Sequence, residues 1–438
     1  MRKLSTIVFD INSFIRVVGL YRHTMKKFLS HYRYPLLLIV IGLSLLGAFD
    51  YLTQISSQGI LYPDSFSYVE SAKNLYIFHR GHNYRPLLMA LLNGIPYVFG
   101  ASDATIVSFS LYVNVLCWLG FHLVLFKMLS DFVTPKRAFY LTLLSLLIIG
   151  NLAYVFHLLT ENIFMFLCIG GFYQLQLYDK NKQFSILAKA LTIFLLCVLI
   201  KPGSLFLALA LCIYFGKTLW NNWRSKAMGF VYGSLSLLLV QCAGIKYQFG
   251  DFTISYIDSV TYYNYLGSKA KCLEAGKEYE QMNNPRAEYI FSYPCHQQKQ
   301  IASADLKDQL LHNTSYLMRA YVLDILENTK TGNTCIADCQ NKAQRPSSMF
   351  WRDFLYDITK WQNRLGTLLA FGLIMFYGLK RLAQREVYLL MAFFIAYIIG
   401  TSGISCGQGD RFHVITLPFV VLLCAKLYSE RKPKTKTS

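Results

Sequence analysis

Long apolar runs separated by short charged loops dominate this chain. Ten such runs stand at 35–53, 104–126, 138–156, 160–178, 185–200, 203–217, 226–245, 363–379, 386–401 and 412–428. They do not alternate polar and apolar with a period of two, so they read as helices. Runs near about 20 residues match the hydrocarbon thickness of a bilayer, where only helices and closed barrels satisfy their backbone. The fifth and sixth runs are divided only by Lys201-Pro202-Gly203. The apolar piece 86–99 is too short to cross and reads as a surface or re-entrant helix. The pattern predicts an all-α polytopic membrane protein of about 10 transmembrane helices, with short helices on its outer loops.

Composition agrees. The chain is 54% hydrophobic, and a soluble protein of 438 residues does not gather so much apolar side chain into such runs. Lys and Arg in the short loops set the orientation. The basic tail at 1–34 goes inside and does not read as a cleavable signal peptide. Lys127, Lys136 and Arg137, Lys180 and Lys182, and Lys380, Arg381 and Arg385 then also fall inside. Both termini are expected in the cytoplasm, and the net charge of +19 becomes a topology signal. No nucleic-acid partner is expected.

This topology gives a tail at 1–34, a transmembrane core at 35–245 with a first outer loop at 54–103, an outer loop region at 246–362, closing helices at 363–428 and a basic tail at 429–438. Cys272, Cys295, Cys335 and Cys339 lie in the second outer segment, and an even set in an oxidising compartment suggests one or two disulfides of open pairing. Leu306, Leu310, Leu317, Tyr321 and Leu326 predict an amphipathic helix over 303–328, lying on the membrane.

Chemistry concentrates where ionisable groups meet the ends of spans. The run from Tyr62 through Pro63, Asp64 and Tyr68 to Ala72 follows the first span, and Arg85-Pro86 follows soon after. Asp64 is either a helix cap or a functional carboxylate. His157 precedes Glu161 by four residues and reads as facing the same way if the helix starts early. Lys201 sits at the turn between two runs, and Arg411 ends the last outer loop. Two carboxylates thus face three cations at one membrane face. A carboxylate can deprotonate an acceptor, and cations can stabilise charge on a departing phosphate. His79, His82, His157 and His413 form no metal spacing.

At these residues the chain resembles the GT-C superfamily of integral-membrane glycosyltransferases, and within it the aminoarabinose transferases and protein mannosyltransferases. The resemblance rests on Asp64, Tyr68 and Ala72, on Arg85-Pro86-Leu87-Leu88, on Thr160-Glu161, on Lys201-Pro202, and on Arg411-Phe412 with Pro418. Ser65 stands where the family often has a second acid, and Pro86 where it has two prolines. The resemblance implies a GT-C-like fold and a polyprenyl-phosphate-linked sugar as donor. The acceptor would be a lipid, glycan or protein, on the periplasmic face of a bacterial inner membrane. Asp64 would be the base or a ligand to a divalent metal, assisted by Glu161. Arg85, Lys201 and Arg411 would hold the donor phosphate, and Tyr68 and His157 would support the acceptor. A flippase of lipid-linked glycan and a glycan polymerase or ligase are the competing readings. An endoplasmic-reticulum host is the alternative to a bacterium, and would make Asn313-Thr314-Ser315 a glycosylation acceptor.

Overall fold

The computed structural model describes residues 11–56, 62–338, 345–380 and 386–431, with side chains described from Tyr32 to Glu430 within those ranges. Among the described residues the chain is helical, with no strand. The first half holds α1 (Ile11–Thr53), α2 (Pro63–Tyr76), α3 (Leu87–Asn93), α4 (Asp103–Ser130), α5 (Pro135–Leu146), α6 (Ile149–Val155), α7 (Glu161–Asn181), α8 (Phe184–Val198), α9 (Leu205–Tyr214), α10 (Gly216–Asn221) and α11 (Met228–Phe249). The second half holds α12 (Ile257–Tyr262), α13 (Ser268–Glu274), α14 (Pro285–Phe291), α15 (Cys295–His312), α16 (Thr314–Lys330), α17 (Thr334–Asp338), α18 (Pro346–Lys380), α19 (Val387–Thr401) and α20 (Leu417–Arg431).

Five helical stretches are long and apolar enough to cross a membrane: Tyr32–Thr53, Asp103–Ser130, Met228–Phe249, Val387–Ile404 and Gly409–Glu430. They make this a multi-pass membrane protein. The other five expected spans take different forms. Run 138–156 is α5 and α6, bent by 66° at Leu147–Ile148. Runs 185–200 and 203–217 become the short apolar helices α8 and α9, because Lys201-Pro202 breaks them. A residue before proline is driven out of the helical region, and Lys201 is extended at φ −134°, ψ 97°. Run 160–178 is α7, whose Glu161, Asn162 and Gln176 are buried in protein instead of facing lipid. Run 363–379 is the latter part of α18, so the boundary expected at 362/363 falls inside a helix. The tail expected at 1–34 is helical from Ile11 onward and continues into the first span.

The helices that matter for the site pack around one aromatic cluster. Phe172 of α7, Phe194 of α8, Phe394 of α19 and Phe419 of α20 meet with ring centroids 5.0–5.8 Å apart. Such edge-to-face pairs contribute about 0.5–1.5 kcal/mol each beyond their burial. Gly171 and Gly120 leave room for Phe194 and Phe166, since a Cβ on either would come within 2.8 Å of those rings. The cluster fixes the relative heights of α7, α8 and α20, and so the place of the charged residues at their ends.

Residues 257–321 carry a helical core of their own, built on Val260, Tyr262, Tyr263, Leu266, Ile290 and Leu317, while Cys335 and Ile336 of α17 join the main core. The amphipathic helix expected over 303–328 is two helices, α15 and α16, parted at Asn313. The Asn313 side chain is buried and donates to Glu274 at 3.1 Å, which stabilises the break. The same burial removes Asn313 as an accessible glycosylation acceptor. Cys272 and Cys295 are free thiols, so neither joins one of the one or two disulfides expected among the four cysteines, and Cys295 Sγ accepts from Asn83 Nδ2 at 3.0 Å. Cys335 is buried on α17, and Cys339 lies outside the described residues.

Candidate functional site

The first outer loop delivers Asp64 on the opening turn of α2. Pro63 starts that helix, which suits proline because a first-turn N–H has no partner within the helix. The residue at the cap position is Tyr62, without a side-chain cap bond, so Asp64 does not cap the helix. Its oxygens go elsewhere. Oδ1 accepts from Arg85 Nη2 at 2.6 Å, and Oδ2 accepts from Arg411 Nη1 at 2.5 Å. Tyr68 and Ala72, one and two turns on, are buried. Tyr68 places its ring under the Arg85 guanidinium, 4.4 Å from centroid to carbon. Ser67 Oγ accepts from Arg85 Nε at 2.7 Å. Arg85 is therefore aimed by three residues of α2. Pro86 sits at the cap of α3, one residue before the helical turn where the sequence puts it.

Glu161 begins α7, where a helix N-terminus favours negative charge. It is fully buried and takes Arg411 Nε at 2.6 Å and Lys201 Nζ at 3.1 Å on the same oxygen, Oε1. Arg411 thus forks across both carboxylates. Its guanidinium also lies 4.9 Å from the Tyr62 ring, and Lys201 Nζ lies 5.3 Å from that of Phe412. All five residues singled out from the sequence for charge, Asp64, Arg85, Glu161, Lys201 and Arg411, form one connected network.

The network is asymmetric in exposure. Glu161 is 0% exposed, Arg411 9%, Arg85 11%, Lys201 18% and Asp64 30%. Asp64 is the most reachable member and Glu161 the least. Burial pushes the Asp64 carboxyl up, but Arg411 and Arg85 overcome it and hold it well below the usual carboxylate range. Three cations meet two carboxylates, which leaves one formal positive charge for an arriving anion. Every carboxylate oxygen with a close partner in this set is bound to an ammonium or guanidinium. That donor set suits an anion and does not suit a divalent cation, so Asp64 as metal ligand does not fit, and no step is routed through a metal.

His157 is not in the set. The helix starts only at Glu161, so the four-residue spacing does not place His157 on its face. The imidazole is buried, 6.4 Å from the Tyr62 ring, with neither nitrogen bonded among the described residues. His413 is also structural, held by Ser402 at 2.8 Å and Thr367 at 3.1 Å.

Several neutral residues join the site without a signal in the sequence. Tyr265 lies on a π-helical turn, Tyr263–Gly267, of the second outer segment. Burial and the nearby Asp64 charge push its hydroxyl up, and Gln281 hydrogen-bonds to it. Gln281 in turn reaches Gly407, whose φ of +65° favours glycine. Behind the site, Asp410 is clamped by Tyr154 at 2.9 Å and by Asn333 at 3.0 Å. That clamp fixes the turn that carries Arg411.

No family model matches the chain, and no curated protein or solved structure matches it either.

Proposed function

We propose that the protein is a membrane glycosyltransferase that moves a sugar from a polyprenyl-phosphate-linked donor to a lipid, glycan or protein acceptor. In this reading the site faces the periplasm of a bacterial inner membrane, both termini are cytoplasmic, and the fold is GT-C-like. The observation that carries it is the convergence of Asp64, Arg85, Glu161, Lys201 and Arg411, with Asp64 the most exposed. The resemblance described from the sequence supplies the sugar and the lipid carrier.

The geometry supports a direct displacement. Arg85 and Arg411 present N–H donors that suit the oxygens of a phosphate. Both are held by Asp64 in the free protein. A phosphate that takes over those donors would release the Asp64 carboxylate. The freed carboxylate accepts the proton of an acceptor hydroxyl as its oxygen attacks the anomeric carbon. The bond from that carbon to the phosphate oxygen breaks, and the electron pair leaves with the polyprenyl phosphate. The configuration inverts. Lys201 and Arg411 stabilise the charge that develops on the leaving group. Glu161, buried and doubly paired, positions those two cations and does not touch the substrate.

The test is sugar transfer from a panel of labelled polyprenyl-phosphate sugars by the purified, reconstituted protein, with a crude envelope extract as acceptor. Transfer of one sugar by the wild type and its loss in Asp64→Asn, with donor binding kept, is the expected result. Movement of the lipid-linked sugar between leaflets without turnover would sink the transferase and favour the flippase. Turnover indifferent to Asp64 would favour a polymerase or ligase built on arginines alone.

A further inference from the structure

Helix α16 is tied along its length to the site end of the membrane bundle. Tyr321 donates to the Gly400 carbonyl at the end of α19, at 2.8 Å. Asn328 donates to the carbonyls of Ser402 and Ser405 at 2.9 and 2.8 Å. Asn363 of α18 donates to the Asn328 and Thr331 carbonyls at 2.6 and 2.9 Å, and Arg364 to the Lys330 carbonyl at 3.0 Å. Gly400 and Ser402 belong to the end of the candidate span Val387–Ile404. The bonds therefore hold α16 across the level where hydrocarbon gives way to water. Trp361, 61% exposed on α18, marks the same level, where tryptophan is enriched.

The opposite face of α16 is bare and apolar. Met318, Val322 and Leu326, four residues apart, are exposed together with Leu323. The preceding helix adds Leu310 and Leu311. The charges on these two helices are sorted. Asp305 is paired with Arg286, Asp308 with His312 and Lys271, and both Asp324 and Glu327 with Lys269. Lys307, Arg319 and Lys330 are exposed and make no ion pair among the described residues. An apolar stripe with an uncompensated cationic border is the pattern of a helix that lies in the headgroup region over anionic lipid.

We propose that α15 and α16 form a docking surface for the bilayer leaflet on the site side. Met318, Val322, Leu323 and Leu326 enter the headgroup–acyl boundary, and Lys307, Arg319 and Lys330 meet the phosphates of anionic phospholipid. The contact has a consequence for the site. Lys269 of α13 is bonded to Asp324 and Glu327 of α16, and α13 continues the π-helical turn that carries Tyr265. Docking of α16 thus sets the height at which this helical core stands over Asp64. The inference does not depend on the transferase reading.

The full-length protein is reconstituted in phosphatidylcholine–phosphatidylglycerol vesicles, with or without brominated acyl chains, as Val322→Trp and Leu326→Trp. Leu368→Trp, on the exposed apolar face of α18, is the lipid-facing reference. The added emission at 322 and 326 is expected to be lost in brominated lipid, as at 368, and to resist aqueous iodide. The loss should weaken when phosphatidylglycerol is omitted, and in the triple variant Lys307→Gln, Arg319→Gln, Lys330→Gln. Quenching by iodide but not by bromine would overturn the proposal. So would protection from both, which would mean that a second copy or another protein covers the face. Bromine quenching indifferent to phosphatidylglycerol would overturn the role of the three cations.

Discussion

Arg411 and Asp64 stand 347 positions apart and meet at 2.5 Å, while the same guanidinium reaches Glu161 at 2.6 Å. One planar fork joins the carboxylate that is open to substrate with the one that is sealed away. A lysine is a single point charge and cannot span both. Arg411→Lys is therefore expected to keep the charge and lose the bridge. Transfer should fall by about 100-fold or more, the size of effect seen when one preorganised donor is removed. Turnover of the reconstituted variant checks this, with its melting temperature as a guard against simple unfolding.

Glu161→Gln tests the sealed carboxylate. The shape is kept and the charge is lost, so Lys201 loses its carboxylate partner and Arg411 keeps only Asp64. Breaking a buried pair from one side costs about 3–5 kcal/mol. The same change raises the positive excess at the site. Melting temperature should drop while binding of a short polyprenyl phosphate tightens, and the opposite signs distinguish electrostatics from general damage. A parallel fall in both quantities would contradict the assignment of Glu161 as a positioning residue.

Two carboxylates should respond to acid in opposite directions. Asp64 is pushed up by burial but held below its ordinary value of 3.8 by Arg411 and Arg85. A depressed carboxylate contributes stability above its unfolded pKa and loses it only as pH falls below that point. Asp324 is the reverse: burial pushes it up to about 6, against the pull of Lys269. Its contribution is fully present below the unfolded value and is lost as pH rises through about 6. Between pH 4 and 7, protection factors, taken relative to the base-catalysed intrinsic exchange rate, should therefore stay constant around α2 and fall with rising pH around α13 and α16. Asp324→Asn should flatten the second trend and leave the first alone.

The charged half of the site was legible because formal charge next to an apolar run is expensive and hence conspicuous. Asp64, Arg85, Glu161, Lys201 and Arg411 all announce themselves in this way. Tyr265, Gln281, Tyr154 and Asn333 do not, because neutral residues at ordinary positions acquire their roles from contacts across hundreds of residues. His157 misled for a local reason: a spacing of four matters only inside a helix, and this helix begins four residues later. Five of the ten apolar runs do not form helices long and apolar enough to cross a membrane, for a related reason. Apolar runs also serve helices that pack inside protein, and α7 and α8 are mostly of that kind, with Phe172 and Phe194 facing α19 and α20. The break at Asn313 was hidden because Leu310 and Leu317 keep helical spacing across it.

The turn before Arg411 makes the last prediction. Gly409 has φ +58°, and a Cβ there would stand 2.5 Å from the Gly332 carbonyl oxygen and 2.8 Å from Thr334 Cγ2. The neighbouring Asp410 N–H donates to that same carbonyl at 3.2 Å, so the backbone cannot retreat without losing the bond. Gly409→Ala combines a left-handed conformation with a backbone clash, and should cost about 1–3 kcal/mol. Because Arg411 is two residues on, the shift should also weaken its hold on Asp64 and Glu161, which raises KM for the lipid-linked donor. Gly233→Ala is the control: that glycine lies within α11 with nothing within 4 Å of its Cβ position. Alanine is the better helix former by about 1 kcal/mol, so this variant should be neutral or slightly stabilised and keep full donor affinity. Equal behaviour of the two variants in melting and donor titration would mean that the Gly407–Arg411 turn does not position the site.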